Sequence, residues 1–205
     1  MRLYFKPGAC SLASRIVMIE LGYEFESVQV DTESGLTQHG ENYLDVNPRG
    51  YVPALTLDNG QTLTENPAAL QYLADLAPGS LVPAAGSWER VKLQEALNFI
   101  SSELHTAFSP FFNGDAVGER LAPAHARLAR RIGDVELMLA HGRPYLFGEQ
   151  MTVADVYLFV VLNWAGFIDL SLANWPRASA FVALMRGRAS VEAALRQEGL
   201  LQADA

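Results

Sequence analysis

The chain has 205 residues, of which half are hydrophobic and 19% are charged, so it can bury a sizeable core and does not have the composition of a disordered segment. Its 15 Lys and Arg residues against 23 Asp and Glu residues give a formal net charge of −8. This negative field disfavours phosphate backbones and anionic lipid surfaces, so we expect neither nucleic-acid nor membrane partners.

Cysteine usage and the apolar runs bear on the compartment of the protein. Cys10 is the one cysteine, and a single thiol cannot form an internal disulfide, which favours a reducing compartment. Lys6 and Arg15 interrupt the first apolar residues, so this segment does not resemble a signal peptide. The most hydrophobic stretch, 156–168, has 13 residues, whereas a membrane-spanning helix needs about 20. We therefore expect a cytoplasmic protein with a buried central helix over 156–168.

Residues 1–78 alternate short strand-like runs with helical patterns. The strand-like runs are 3–5, 25–30, 52–57 and 61–64, and the helical patterns are 11–21 and 67–76. Asp58-Asn59-Gly60 is typical of a hairpin turn, and Pro67 is typical of a first helical turn. The polar stretch 31–40 predicts a loop or a frayed helix. The predicted order is a βαβ unit, then a β-hairpin, then a helix.

The rest of the chain has helical patterns throughout. They cover 88–112, 119–141, 152–168, 177–187 and 190–198. The uncharged stretch 77–86, rich in Pro, Gly and Ala, predicts the junction between the two parts. We therefore expect an α/β domain over 1–78, a linker over 79–86 and an all-helical bundle domain over 87–205.

The start of the apolar helix has a clear signature. Thr152 and Asp155 form the pattern of a capping box, in which the two side chains satisfy backbone N–H groups reciprocally. Met151 and Val156 flank it as a hydrophobic staple. The pattern predicts where the helix begins and carries no chemistry.

Cys10 follows the first strand and a Pro-Gly turn, at the start of the first helix. The free N–H groups and positive dipole of a helix N-terminus stabilise a thiolate, which predicts a lowered pKa for this thiol. The neighbouring Ser11 could donate a hydrogen bond to a bound sulfur. The alternative is that Cys10 is a small hydrophobic residue of the core. With no second cysteine, a CxxC redox cycle is excluded.

Two further segments of the α/β domain are candidate binding sites. A proline at the start of a strand, as in Val52-Pro53, lies at a sheet edge or faces a ligand. If the Val52-Pro53 peptide were cis, it would present the Val52 N–H and C=O to an extended ligand. Glu65 and Asn66 open the next helix, where a carboxylate can bind an ammonium group and the Asn side chain and N–H groups can bind a carboxylate. Plain N-capping by Asn66 beside a solvated Glu65 explains the same pattern.

In the helical domain, Asn98, Ser102 and His105 form a polar stripe at helical spacing. His105 could bind a thiol or a carboxylate and titrate near neutrality, or it could be a surface or capping residue. Aromatic side chains at helical spacing either fill the core or line an apolar acceptor cavity. No Cys/His/Asp cluster has metal-ligand spacing, and no Gly-rich phosphate loop is present.

Together these segments resemble a known family. The segments YFKPGACSLASRI, NPRGYVPAL, LTEN, LQYLAD, SELH and TVADVYLF have the order and spacing of bacterial cytosolic glutathione S-transferases. They are most similar to the beta class, over essentially the whole chain. The resemblance implies a thioredoxin-like N-terminal domain, a C-terminal helical-bundle domain and a homodimer.

The resemblance also implies a role for each candidate residue. Val52-Pro53 would be cis, with Val52 paired to the cysteinyl backbone of glutathione, and Glu65 and Asn66 would hold the γ-glutamyl head. Cys10 would contact the glutathione sulfur, assisted by Ser11, or form a mixed disulfide with it, and His105 would complete the catalytic site. Residues expected to reach the tripeptide, some across the dimer interface, are Asn98, Ser102 and Glu103. Residues expected to bind the electrophile are Phe108, Phe112 and Trp164.

Three positions depart from the family pattern. Position 66 is commonly Ser or Gly in the class and is Asn here. Lysines that can meet the glycyl carboxylate are replaced by Gly35 and Thr106. Because both cations are lost, we expect a modest affinity for glutathione.

The residues and the resemblance favour an enzyme that conjugates its cosubstrate glutathione to hydrophobic electrophiles without a metal, with thiol-disulfide exchange through Cys10 also open. A glutathione-dependent isomerase or dehalogenase on the same scaffold is the nearest alternative. A regulator that binds a transcription complex is a third hypothesis, and a non-enzymatic ligand carrier or interaction protein forms the second class. The joint presence of Cys10, Val52-Pro53, Glu65 and His105 argues against that class, because interaction alone has no chemical need of them.

Overall fold

The computed structural model describes residues 1–201. The chain divides into two compact units. The first contains Met1–Val82 together with the chain from Gly187 onward, and the second is Pro83–Arg186.

A five-stranded mixed sheet forms the centre of the first unit. The elements of this unit up to residue 82 are β1 (Arg2–Phe5), α1 (Ser11–Glu20), β2 (Glu26–Asp31), β3 (Leu36–Thr37), a 3₁₀ helix (Tyr43–Asp45), β4 (Ala54–Thr56), β5 (Thr62–Thr64) and α2 (Asn66–Asp75). The strand order is β3-β2-β1-β4-β5, with β1 and β2 parallel and the other neighbours antiparallel. The expected thioredoxin-like α/β domain is confirmed.

β1 lies at the centre of the sheet because its side chains are buried on both faces. Leu3 pairs with Leu55 of β4, and both are fully buried. Tyr4 belongs to a buried cluster with Val28 and Tyr43. The helices α1 and α2 pack against each other. This arrangement places the start of α1 and the start of α2 beside the loop that precedes β4.

The polar stretch 31–40 contains β3, where the sequence predicts a loop or a frayed helix. Asp31 accepts hydrogen bonds from the Glu33 N–H (2.9 Å) and the Ser34 hydroxyl (2.7 Å), and Gly35 has a φ of 72°. This turn brings Leu36 back beside Asp31, so that β3 pairs antiparallel with β2. A two-residue strand is too short to show alternation in the sequence.

The second unit is all-helical, as predicted. It contains α3 (Trp88–Phe99), a π-helical segment (Ile100–His105), α4 (Thr106–Phe112), α5 (Leu121–Met138), α6 (Val153–Asn163), a 3₁₀ helix (Trp164–Ile168) and α7 (Pro176–Arg186). The predicted helix over 88–112 therefore has a π-helical middle, a feature frequent at functional sites.

The apolar helix α6 is buried along its whole length, as predicted, but it ends at Asn163 and not at Ile168: 164–168 form the 3₁₀ helix, in which Phe167 is 51% exposed. Its capping box is present: Asp155 accepts hydrogen bonds from the Thr152 N–H (2.8 Å) and hydroxyl (2.7 Å). The other carboxylate oxygen of Asp155 accepts the Leu146 N–H at 2.7 Å. Of the helices within residues 1–201, none is long and apolar enough to cross a membrane.

The last helix, α8 (Ala189–Gln197), belongs to the first unit, whereas the sequence assigned it to the helical domain over 87–205. It packs against α1. Glu20 accepts hydrogen bonds from Arg188 and Ser190, which join the two helices at their ends. An amphipathic pattern shows that a helix packs on something, but it does not show which part of the chain it packs on.

Candidate functional site

The turn between β1 and α1 presents Cys10. Gly8 has a φ of 73°, a conformation that favours glycine, and the Ala9 N–H donates to the Lys6 carbonyl at 3.0 Å. Ser11 is fully buried; its hydroxyl donates to the Lys6 carbonyl and accepts the Lys6 N–H, both at 3.3 Å. The Ser11 hydroxyl therefore fixes the turn, and it is not a free donor for a bound sulfur as the sequence suggested.

Cys10 is hydrogen-bonded to two distant segments of the first unit. Its thiol donates to the Val52 carbonyl at 3.3 Å, and its own carbonyl accepts the Asn66 side-chain amide at 3.1 Å. The turn, the loop before β4 and the start of α2 thus meet at one residue.

Burial favours the protonated form of the Cys10 thiol. Desolvation raises its pKa to about 12, against the lowering effect of the Cys10 and Ser11 N–H groups, and the charge of Glu65 raises it further. The sequence predicted a lowered pKa from the helix N-terminus. That prediction is wrong because the lost hydration of the thiolate outweighs the two N–H groups.

The Val52-Pro53 peptide is cis, as predicted. The preceding carbonyl of Tyr51 accepts two hydrogen bonds of 2.7 Å, from the Tyr43 hydroxyl and the Asn47 amide. Among the hydrogen bonds of residues 1–201, none uses the Val52 N–H as a donor. The loop therefore offers a free N–H from a fixed stretch of backbone.

Glu65 and Asn66 differ in what they expose. Glu65 has a φ of 67°, a conformation that costs a residue other than glycine about 1–3 kcal/mol and that clusters at ligand sites. Its side chain is 66% exposed, 3.5 Å from the guanidinium of Arg49. Asn66 is buried, and its amide oxygen accepts the Ser14 hydroxyl at 3.0 Å. The Asn66 side chain thus joins α1 to α2, and what it offers a ligand is its N–H in the first turn of α2.

In the second unit, His105 ends the π-helical segment and is partly buried. Its Nδ1 lies 2.9 Å from the Tyr157 hydroxyl of α6, and its ring packs edge-on against Trp164 at 4.6 Å between centroids. Burial lowers the pKa of His105 to about 4, so the imidazole is neutral at pH 7, whereas the sequence suggested titration near neutrality.

The three aromatic candidates lie together in the second unit. Trp164 packs edge-on against Phe108 at 5.8 Å and against Phe112 at 5.5 Å. Phe108 and Trp164 are buried, whereas Phe112 is 50% exposed. Phe112 is therefore the member of the cluster that presents surface to a ligand, and the other two support it.

The remaining polar candidates lie along the same stretch of helix. Asn98 and Ser102 are exposed, and the Ser102 hydroxyl donates to the Asn98 carbonyl at 2.8 Å. Glu103 is ion-paired with Arg131 of α5 at 3.4 Å. Its carboxylate is therefore already partnered within the chain.

Three residues that contact these groups were not predicted from the sequence. Arg49 reaches Glu65, Tyr157 reaches His105, and Arg127 of α5 donates to the Thr106 hydroxyl at 3.0 Å. A cation thus lies beside position 106 although the residue itself is Thr. The basic residue in NPRG was the available signal for Arg49; Tyr157 is hidden in an apolar run. Residues 1–201 contain no group of three or more His, Cys, Asp or Glu side chains that could hold a metal.

Comparison with known proteins places the chain in a family. Residues 8–76 match the glutathione S-transferase N-terminal domain, and residues 99–189 match the glutathione S-transferase C-terminal domain. The chain is 42% identical to the glutathione S-transferase GstA of Escherichia coli O157:H7, over 98% of this chain and all of that protein.

Two solved structures agree with this assignment. The bacterial beta class glutathione S-transferase of Sphingomonas chungbukensis is 40% identical with a TM-score of 0.93, over 98% of this chain and all of the other. A sphingomonad glutathione S-transferase in complex with glutathione is 44% identical with a TM-score of 0.92, over the same shares. The chain belongs to the glutathione S-transferase family.

The raised pKa of Cys10 predicts slow alkylation. At pH 7.5 a thiol of pKa about 12 has about a thousandfold less thiolate than one of pKa 9.0, the value taken for an unperturbed cysteine. We expect iodoacetamide to modify the folded protein slowly, at a rate that still rises at pH 10, and the urea-unfolded chain much faster. Intact mass spectrometry follows the reaction at a single site. A rate that levels off below pH 8 would show that the helix N-terminus dominates after all.

The lowered pKa of His105 predicts a loss of stability in mild acid. Between about pH 6.5 and 4 the unfolded chain binds a proton at this residue and the folded protein does not, so stability falls as pH falls. From pH 7.5 to 5 the loss attributable to His105 is about 2 kcal/mol. Urea unfolding at both pH values should show this extra loss in the wild type relative to His105→Gln, with the exposed His39→Gln as control. Equal losses in all three proteins would contradict the assignment.

Proposed function

We propose that the protein conjugates glutathione to hydrophobic electrophiles. The observation that carries the proposal is the meeting of three groups at Cys10: the thiol itself, the free N–H of Val52, and the start of α2 with Glu65 beside it. Membership of the glutathione S-transferase family supports it independently.

The residues present fit glutathione group by group. The Glu65 carboxylate would pair with the γ-glutamyl ammonium, and the Asn66 N–H with the dipole of α2 would hold the carboxylate of the same head. The Val52 N–H would donate to the cysteinyl carbonyl. An exposed ion pair such as Arg49–Glu65 is worth only about 0–1 kcal/mol, so it would open at little cost and leave Arg49 free for a ligand carboxylate.

The protonation state of Cys10 favours conjugation over redox exchange. The Cys10 thiol donates to the Val52 carbonyl in the free protein, and on binding it would exchange this acceptor for the glutathione sulfur, which would favour the thiolate form of glutathione. That thiolate attacks the electrophilic carbon, and the leaving group departs with the electron pair of the broken bond. A mixed disulfide between Cys10 and glutathione needs the thiolate form of Cys10, which a pKa of about 12 disfavours.

The second unit would supply the electrophile-binding surface. Phe112, backed by Phe108 and Trp164, gives an apolar aromatic face that suits a hydrophobic acceptor. A neutral His105, held by Tyr157, can donate or accept a hydrogen bond without adding charge.

We further infer a cytoplasmic homodimer. The lone cysteine supports the compartment. On α3, Trp88 and Val91 are one helical turn apart and are 70% and 46% exposed, an apolar face that suits association. Family membership supports the same interpretation.

The glutathione site is tested by calorimetric titration of reduced glutathione into the reduced protein. Because Glu65 would make a charge-assisted contact with glutathione, Glu65→Ala should raise the dissociation constant at least about tenfold, which corresponds to about 1.4 kcal/mol of binding free energy. The exposed Glu24→Ala removes the same charge from the same unit and should bind like the wild type. No binding to the wild type at millimolar glutathione would overturn the proposal.

The homodimer is tested by sedimentation equilibrium. The wild type should have a mass of about 45 kDa, twice the 22.4 kDa of the chain. Trp88→Glu, which places a charge on the apolar face of α3, should shift the mass towards the monomer. Leu137→Glu alters a residue of similar exposure, 73%, on α5 and should not. A monomeric wild type would contradict the inference.

A further inference from the structure

A buried carboxylate in the first unit contacts the turn that carries Cys10. Glu198 follows α8, and its side chain is completely buried. One carboxylate oxygen accepts the Arg15 Nε–H at 2.9 Å, and the other accepts the Gly8 N–H at 2.8 Å. Glu198 is therefore bonded both to α1 and to the backbone two residues before Cys10.

Arg15 holds this carboxylate rigidly. Its side chain is 3% exposed, and it donates to the Ser27 hydroxyl and to the Gln197 side-chain oxygen, each at 3.0 Å. Its guanidinium also lies over the Phe5 ring, 4.2 Å from the centroid. Movement of the Glu198 carboxylate would break a charge-assisted hydrogen bond in a buried environment, which is costly.

The turn that contains Gly8 depends on the Glu198 carboxylate. Gly8 is buried with a φ of 73°, and the hydrogen bond from its N–H to Glu198 is shielded from solvent. A buried N–H that loses its acceptor bears the full cost of desolvation, so the turn would rearrange if the acceptor were removed. Cys10 would move with it, because only Ala9 separates the two residues.

We propose that Glu198 is a positioning residue for Cys10: its side-chain oxygen, as an acceptor of the Gly8 N–H, fixes the turn and so sets where the Cys10 thiol lies and how well water reaches it. The consequence for glutathione binding rests on the proposed function, but the effect on the thiol does not. A buried ion pair that served stability alone could be exchanged for apolar residues without any effect on Cys10.

Two double variants separate these roles. Arg15→Met with Glu198→Gln removes both charges and keeps an oxygen that can accept the Gly8 N–H. Arg15→Met with Glu198→Leu is equally uncharged and has no acceptor. Thermal unfolding and circular dichroism establish that both are folded, and iodoacetamide alkylation of Cys10 is then measured from pH 6 to 10.

The glutamine variant should keep the wild-type alkylation profile within about twofold. The leucine variant should react about tenfold faster at pH 8, since a thiol pKa lower by one gives tenfold more thiolate and a released turn admits water. Its KM for glutathione should rise more than its kcat falls. Identical alkylation profiles in the two folded variants would overturn the proposal.

Two further measurements decide the matter if the leucine variant does not fold. Glu198→Asp keeps the charge opposite Arg15 but is one methylene too short for Gly8, so it should alkylate faster than the wild type. In the wild type itself, hydrogen exchange of the Gly8 amide should be strongly slowed, and exchange at the rate of an unprotected amide would overturn the proposal. Neither readout needs glutathione. If only the proposed function fails, the Gly8 amide still exchanges slowly and the variants still differ in alkylation rate, but the protein does not bind glutathione.

Discussion

Two long-range hydrogen bonds of Cys10 are the constraint on which the rest of the first unit's chemistry depends. Its thiol and its carbonyl contact segments 42 and 56 residues away in the sequence, the Val52 carbonyl and the Asn66 side chain. They bring together a protonated thiol, a free N–H and a helix start beside a carboxylate. Each group is ordinary by itself; together they match the sulfur, the backbone and the head of a tripeptide thiol.

Burial determines the charge state of the two residues proposed for catalysis. In the first unit, desolvation keeps the Cys10 thiol protonated in spite of its place at a helix N-terminus. In the second, desolvation keeps His105 neutral. Each unit thus offers a neutral hydrogen-bonding group, and a protein thiol that stays protonated suits an enzyme whose nucleophile is the thiolate of its cosubstrate.

Each unit also contains a buried carboxylate that accepts backbone N–H groups at a functionally important point. Asp155 receives the N–H groups of Leu146 and Thr152 and fixes the start of α6, the helix that carries Tyr157. Glu198 receives the Gly8 N–H and, as we propose, fixes the turn that carries Cys10. In both cases burial raises the pKa of the carboxyl, and these hydrogen bonds offset that rise only in part.

The sequence by itself determined the class of both parts and most of the candidate residues. These predictions used local properties: hydrophobic periodicity, the capping box at Thr152, and the Pro and Gly residues that end helices and strands. Local steric and hydrogen-bonding rules are enough to interpret them. The cis peptide at Val52-Pro53 followed from the family resemblance, because neighbouring residues alone favoured an edge-strand proline.

Only the tertiary structure decided the rest, because it depends on groups that are distant in the chain. The side chain of Asn66 could not be known to serve Cys10 and Ser14, nor α8 to pack on α1, from patterns within a few residues. The pKa of Cys10 was predicted with the wrong sign for the same reason. The helix N-terminus that lowers it is visible in the sequence, but the desolvation that raises it comes from the packing of distant segments, which exists only once the chain is folded.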